Sequence, residues 1–341
     1  MNNSSSNPLI VIRGLGLLSA LGADPVETLA ALREGEPAIF PDANGVPCGA
    51  IPEIDTQRWL GGPPGLLDRG SLLMLVACAQ ALEESALDPK AFPYGRFGVM
   101  AGTVWGGLQS AALFYRDAVE KGPRLVKPLL FPHTYGNTGA SLAAMRWNLS
   151  GPHGCCMTGR VASGQAFAEA VAELRARHAD AMLVVGSESL SAQRTASVNS
   201  KMILGECGAA CVLARAYENE KTGVTVKGVR CGQGVESTIR AALGEANLAP
   251  AEISLVVNSA VGCPDAEKLE ADGLDKIFNG AQPPVFSPLT LSGELEGANA
   301  VFLAAVASLC LCHNTGGSTG GNALVLATDP SGACFACVLG I

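Results

Sequence analysis

Charge is scarce in this chain, and so are the patterns that mark metal, nucleic-acid or membrane proteins. Only 16% of its 341 residues are charged, and the formal net charge is −8. That balance offers no basic surface to nucleic acid or an anionic bilayer, so neither is expected as a partner. The opening MNNSSSNP lacks both the basic region and the apolar stretch of a secretory leader. The longest apolar run, Ala300 to Cys312, is too short to span a bilayer. Cys155-Cys156 and Cys334/Cys337 have no second cysteine pair or histidine at zinc-ligand spacing, so no metal or other cofactor is expected. The glycine-rich NTGGSTGGN lacks the GKS or GKT ending of a phosphate loop and does not lead from a strand into a helix. Beyond the short NNSSSN start there is no linker, low-complexity segment or charge block.

What the chain does have is apolar mass. Hydrophobic residues make up 48%, glycines number 41, and the mean hydropathy is +0.28. A core this large, on a chain this poor in charge, implies an extensive interface with another subunit. Twelve cysteines sit mostly inside apolar runs, as in Leu309-Cys310-Leu311-Cys312, where a free thiol behaves as a small buried hydrophobe. A reducing cytoplasm is the expected location.

A weak internal repeat organises the sequence. ALEESALDP (Ala81 to Pro89) precedes the apolar run FGVMAGTVWGG, and ALGEANLAP (Ala242 to Pro250) precedes ISLVVNSAVG. Each reads as a helix, a proline-marked turn and a buried strand. The next units match as well: GQAFAEAVAELRARHAD leads into AMLVVGSES, and GANAVFLAAVASLCLC leads into NALVLATD. Strands are expected at Leu9 to Arg13, Phe97 to Ala101, Ala181 to Gly186, Gly208 to Ala214, Leu255 to Asn258 and Ala323 to Ala327. Most are continuous apolar runs, the mark of strands covered on both faces. The expectation is a duplicated α/β fold with halves 1–216 and 217–341 packed as one body.

These motifs, in this order, resemble the β-ketoacyl-acyl-carrier-protein synthases of the thiolase-like fold. VIRGLGLLSALGADPVETLAALREGE is similar to their first strand, loop and helix, and LVVGSES to the strand after their nucleophile helix. LGECGAACVLARA resembles LGEGAGxLVLE, and VVNSAVGCPDAEKLEADGLDKIF resembles VNAHGTxTPxNDxxE. VFSPLTLSGELEGANAV is similar to VxSxKxxxGHxxGAAG, and GGSTGGNALVL to GFGGxNxxLV. Six weak matches in the right order span essentially the whole chain. The resemblance implies five layers, α-β-α-β-α, in a compact variant of the ketosynthase.

The same comparison exposes missing chemistry. The family places a cysteine at a helix N-terminus, where amides and the helix dipole stabilise its thiolate. In GPHGCCMTGRVASG, counting forward from Gly151 puts Arg160 there, and counting back from Ser163-Gly164 puts Val161 there. Neither can attack a thioester. Ala260 stands for the first family histidine, Leu289 for the lysine and Glu294 for the second histidine. Those histidines promote decarboxylation and stabilise the enolate, a charge that Glu294 would repel. A family phenylalanine has become Ser318 or a close neighbour. None of the four histidines of the chain matches a family position.

Among ketosynthase-like proteins, the chain-length factors of type II polyketide systems lack the cysteine by design. The stretch GGLQSAALFYRDAVEKGPRLVKPLLFPHTYGNTGASLAAMRWNLSGP resembles theirs through Asn137-Thr138-Gly139 and the Arg146/Gly151-Pro152 spacing. The chain is shorter than the family between Ser191 and Leu204 and between Val229 and Ser237, as in compact partners from polyene (aryl-polyene-like) systems. What this implies is a non-catalytic subunit in a heterodimer with an active ketosynthase. Strand residues Gly154, Cys155, Cys156, Met157 and Thr158 would pair with the partner, which supplies the catalytic groups and the carrier-protein docking. Leu108, Ala111, Ala112 and Tyr115 share one side of a helix that would line the far end of the acyl or polyketide tunnel, or else are ordinary core. Arg160 either pairs with Glu294 across the vacated site or lies at the subunit interface; a buried arginine needs a carboxylate in either place. Two other functions stand beside this one. One is a free-standing acyltransferase or thioesterase using Cys155 or Cys156; the other is a structural homodimer or acyl-chain binder.

Overall fold

Two five-stranded halves of the sheet carry the same strand order. The computed structural model describes residues 8–198, 202–216, 223–259 and 261–341. The first half contains β1 (Ile10–Ser19), α1 (Pro25–Glu34), β2 (Phe40–Pro41), β3 (Pro47–Gly49), α2 (Thr56–Leu60) and α3 (Arg69–Ser85). It continues with β4 (Phe97–Gly102), α4 (Leu108–Lys121), α5 (Thr138–Trp147), β5 (His153–Cys156), α6 (Ala162–Arg175) and β6 (Ala181–Glu188). Then come α7 (Ala192–Ser197), β7 (Leu204–Gly205) and β8 (Cys207–Arg215). The second half runs β9 (Val224–Gln233), α8 (Val235–Ala246), β10 (Leu255–Asn258), α9 (Pro264–Phe278), β11 (Val285–Phe286) and α10 (Leu289–Ser292). It ends with α11 (Asn299–His313), β12 (Asn322–Thr328) and β13 (Ala333–Gly340).

The main sheet has the order β11-β10-β12-β13-β9-β1-β8-β6-β4-β5. In the first half, β5, β4 and β6 are parallel, while β8 and β1 are antiparallel additions. In the second, β11, β10 and β12 are parallel, and β13 and β9 are the antiparallel additions. The halves join at a two-rung seam, Val11 with Thr225 and Ile12 with Val224. The sequence repeat maps onto this symmetry. After α3, Ala86 takes a left-handed conformation and a 3-10 turn at Pro89–Ala91 leads to β4. After α8, Asn247 does the same and a 3-10 turn at Pro250–Glu252 leads to β10. The expected boundary at 216/217 adjoins residues 217–222, which lie outside the described residues.

Helices fill the spaces to make five layers. α3 and α5 cover the outer face of the first half, and α8 and α9 cover that of the second. α6 and α11 lie between the halves and touch strands of both. Three apolar clusters correspond to the three interlayer zones, the largest around α6 and α11. Burial of apolar surface at about 25 cal/mol per Å² makes that middle zone the principal source of stability. With its 3-10 lead-in, the helical stretch Glu296–His313 reaches 18 residues, longer than the apolar run suggested and enough by length and composition to cross a membrane. It is 83% buried inside the protein, as a central core helix is.

Some strand limits differ from the sequence expectation. β1 continues past Arg13 to Ser19, because Gly14 and Gly16 let the backbone of α3 lie directly against it; a Cβ at Gly16 would sit 1.9 Å from the Ala77 carbonyl oxygen. β5 ends at Cys156, so Met157 and Thr158 fall in the turn that follows rather than in the strand. β9 and β13 were not anticipated at all.

Candidate functional site

The candidate site is built around the first turn of α6. Gly159, at φ 71°, turns the chain out of β5; a Cβ there would lie 2.6 Å from the Asp329 carboxylate. A 3-10 turn, Gly159–Val161, then feeds α6. Of the two candidates for the nucleophile position, Val161 is turned into the core around α6 and α11. Arg160 reaches across the site instead. Its Nε donates to the Thr328 carbonyl at 3.1 Å and its Nη2 to the Ser259 carbonyl at 3.0 Å. Its Nη2 also lies 3.0 Å from Glu294 Oε2. Ala260 itself lies outside the described residues, but Ser259 beside it is one of Arg160's anchors.

Glu294 has almost no exposed surface. Its Oε1 accepts from the Glu296 amide and from Asn299 Nδ2, both at 2.8 Å. Its Oε2 faces Arg160 at ion-pair distance but out of line for a hydrogen bond. The contact is therefore electrostatic. Burial pushes the Glu294 carboxyl up, and the Arg160 charge opposes that shift. Behind the pair, Glu270 accepts from Ser259 Oγ and Asn258 Nδ2, each at 3.0 Å. Burial pushes it up to about 7, against hydrogen bonds from Ser259 and Thr328 and the charge of Arg160. Leu289 is fully buried in the middle core and offers no charge. Ser318, on the glycine-rich loop, is held locally: its amide donates to the Thr315 carbonyl and its hydroxyl accepts from Gly320.

A second buried charge cluster adjoins the first. Arg194 has no exposed surface. Its Nε donates to Glu296 Oε2 at 2.6 Å, and its other donors reach the carbonyls of Ser189, Gly205 and Glu294. The Trp105 indole also donates to Glu296 Oε2, at 2.7 Å. Glu188 accepts from Thr103 Oγ1 and the Trp105 amide, both at 3.2 Å, and from the Val104 amide. Sequence reasoning missed this cluster. The only linear trace of it is the Glu294-Leu295-Glu296 pair, two carboxylates in a segment that folds inward.

Cys155 and Cys156 lie in β5. Cys156 Sγ points at the Glu169 carboxylate at 3.7 Å, and Cys155 Sγ at the Gly136 carbonyl at 3.7 Å. Burial, reinforced by Glu188 for Cys155 and Glu169 for Cys156, pushes the thiols up to about 11 and about 12. A thiol so placed stays protonated at neutral pH, the opposite of an activated nucleophile.

β5 is also the end of the sheet. It bonds to β4 on one side, and among the described residues no strand pairs with the other. An apolar surface runs from that edge. Gly136 lies against Met157, Tyr135 stacks edge-on with Phe131 at 5.3 Å, and Phe131 meets Phe114 of α4 at 5.5 Å. Met157, Tyr135, Phe131, Leu129, Leu125 and Val119 are all exposed. Of the tunnel candidates on α4, Leu108, Ala111 and Ala112 are half-buried, while Tyr115 is 73% exposed. None of the four lines the cleft of about 790 Å³ beside α7, where α4 contributes Gln109. An open strand edge continuous with exposed apolar side chains is a surface made to be covered.

Comparison with known proteins decides the family. Residues 8–226 match the model of the β-ketoacyl synthase N-terminal domain, and residues 210–319 match that of its C-terminal domain. The chain belongs to the β-ketoacyl synthase family. One ketosynthase relative is 3-oxoacyl-[acyl-carrier-protein] synthase 2 of Staphylococcus aureus, 23% identical over 86% of this chain and 83% of its own. Among solved structures, the ishigamide ketosynthase/chain length factor superposes with a TM-score of 0.82 at 27% identity, over 98% of this chain and 99% of that one. A ketosynthase (ApeO) in complex with its chain length factor (ApeC) from Xenorhabdus doucetiae superposes at 0.81 and 19% identity, over the whole of both chains. The five-layered thiolase-like architecture is thus that of the ketosynthases.

Proposed function

We propose that this chain is a chain-length-factor-type subunit, a ketosynthase relative that performs no condensation itself and assists an active partner. The observation that carries the reading is the contact of Arg160 with Glu294. A guanidinium and a carboxylate occupy the space where the family resemblance puts a nucleophile and a histidine. The guanidinium is not a nucleophile at neutral pH, and the carboxylate would repel an enolate. The likeness to the ishigamide ketosynthase/chain length factor supports the same assignment.

The partner would be an active ketosynthase, seated on the open edge of β5 and the apolar face of α4 and the 128–135 turn. Backbone geometry favours that edge. The Pro152 and Cys156 carbonyls accept from Val99 of β4 and from Thr103 just past its end, so the alternate residues His153 and Cys155 direct their backbone groups outward. The partner would supply the cysteine, the histidines and the docking of an acyl carrier protein. This chain would stabilise it and shape the tunnel that holds the growing acyl or polyketide chain. The compact length supports a polyene-type system. All twelve thiols are free, which fits a reducing cytoplasm.

The test is co-expression with an active ketosynthase, followed by co-purification and product analysis on malonyl-loaded carrier protein. The chain alone should form no product, and the pair should elongate. Met157→Asp, which puts a charge on the exposed edge, should prevent co-purification without changing the melting temperature of the chain. Condensation by the purified chain alone would sink the proposal.

A further inference from the structure

We infer that Arg194, Glu296 and Trp105 form a charged plug that keeps acyl chains out of this subunit's interior. A growing chain is then sensed only at its surface. The inference rests on the reading of the chain as a ketosynthase partner and says where in that partner the substrate cannot go.

The location follows from the resemblance and the structure together. The helix after Gly106-Gly107 is the one assigned to the tunnel wall, and Trp105 immediately precedes it. Behind that helix start, one carboxylate oxygen of Glu296 takes both the Trp105 indole at 2.7 Å and Arg194 Nε at 2.6 Å. The remaining donors of Arg194 end on the carbonyls of Ser189 after β6, Gly205 of β7 and Glu294 after α10. Glu188, 1% exposed, closes the same space from the β6 side. There is no slack: a Cβ added at Gly297 would sit 2.5 Å from Glu188 Oε1 and 2.6 Å from the Val104 amide.

Threading methylene groups through this volume would strip a fully buried guanidinium and two carboxylates of their partners. The penalty for leaving such charges unpaired exceeds what burial of the methylenes returns. The open space nearby, the cleft beside α7, contains none of the three plug residues in its wall. It is not a continuation of the same route.

The experiment uses the full chain with Trp59→Phe and Trp147→Phe, which leaves Trp105 as the single indole emitter, and dibromostearate as a contact quencher. With the plug intact, Trp105 emission should be unaffected, even where the fatty acid adheres to the apolar surface outside. In an Arg194→Met/Glu296→Leu background, quenching should become saturable, with affinity gained roughly ten-fold or more. Arg194→Met alone serves if the double variant does not fold, as judged by circular dichroism and a cooperative melt. Saturable quenching with the plug intact would overturn the inference, and so would a folded plug variant that shows none. No partner is needed, so either result leaves pairing with a ketosynthase to its own test.

Discussion

Arg160 and Glu294 come from opposite halves of the chain and meet inside it, 3.0 Å apart, with side-chain exposures of 7% and 1%. Each is tied separately to backbone of the second half, Arg160 through Ser259 and Thr328, Glu294 through Glu296. The pair thereby forms a joint between the two halves.

Removing one side of that joint leaves a buried charge. Arg160→Met should destabilise the chain by about 3–5 kcal/mol in urea denaturation. Arg160→Met with Glu294→Leu should recover most of the loss, because a buried pair replaced by apolar groups of similar volume is nearly neutral. Losses that simply add would show that the two residues do not act as a pair.

The thiols of β5 make a separate prediction. Cys155→Ser and Cys156→Ser should leave elongation by the ketosynthase pair within a factor of about two. Because burial holds the two thiols at about 11 and about 12, alkylation by iodoacetamide should be slow at pH 7 and quicken about tenfold per pH unit without levelling off below pH 10. Rapid alkylation at neutral pH with loss of activity would revive a cysteine-based enzyme.

Tyr115, exposed on the isolated chain, should be covered in the complex. Tyr115→Ala is expected to shift the product distribution toward longer chains while total condensation by the pair falls less than about three-fold. Mass analysis of carrier-bound products decides the matter. An unchanged distribution would place Tyr115 outside the tunnel.

Glu188 and Glu270 set a pH dependence. Burial raises both from 4.5 to about 7, opposed by Arg194 at Glu188 and by hydrogen bonds and Arg160 at Glu270. Between those values the folded chain keeps protons that the unfolded chain has lost. Stability is therefore greatest near or below pH 4.5 for these two groups and declines as pH rises through 7. Each contributes about 3 kcal/mol at most. Glu270→Gln should flatten the decline of the urea midpoint between pH 5 and pH 7.5. An unaltered slope would remove Glu270 as its source.

Much of the architecture was legible because glycine-punctuated apolar runs and helix–turn–strand repeats are local signals. Leu255–Asn258 emerged with the limits expected of it. β9 was not, since VTVKGVRCGQ ends in four exposed residues and mixes charge into a strand. β13, ACFACVLG, mixes the strand formers Phe335 and Val338 with alanine and glycine and shows no alternation, and its pairing with β12 and β9 holds it in place. The Arg160–Glu294 contact was one of two arrangements the sequence left open. Arg194 was invisible. AQRTAS reads as a polar surface helix, and the Glu296 carboxylate and Glu294 carbonyl that let a guanidinium be buried there come from about a hundred residues away.

The position of α11 bears on how the protein is made. It covers inner surfaces of β1, β6 and β8, strands that leave the ribosome long before it does. Until α11 has been synthesised, α6 alone covers part of those surfaces, and a nascent chain carrying a partly bare apolar sheet is prone to aggregate. Yield in the cell should therefore depend on chaperone supply and on the pace of translation just ahead of residue 299, with a waiting partner subunit unable to substitute for the missing helix.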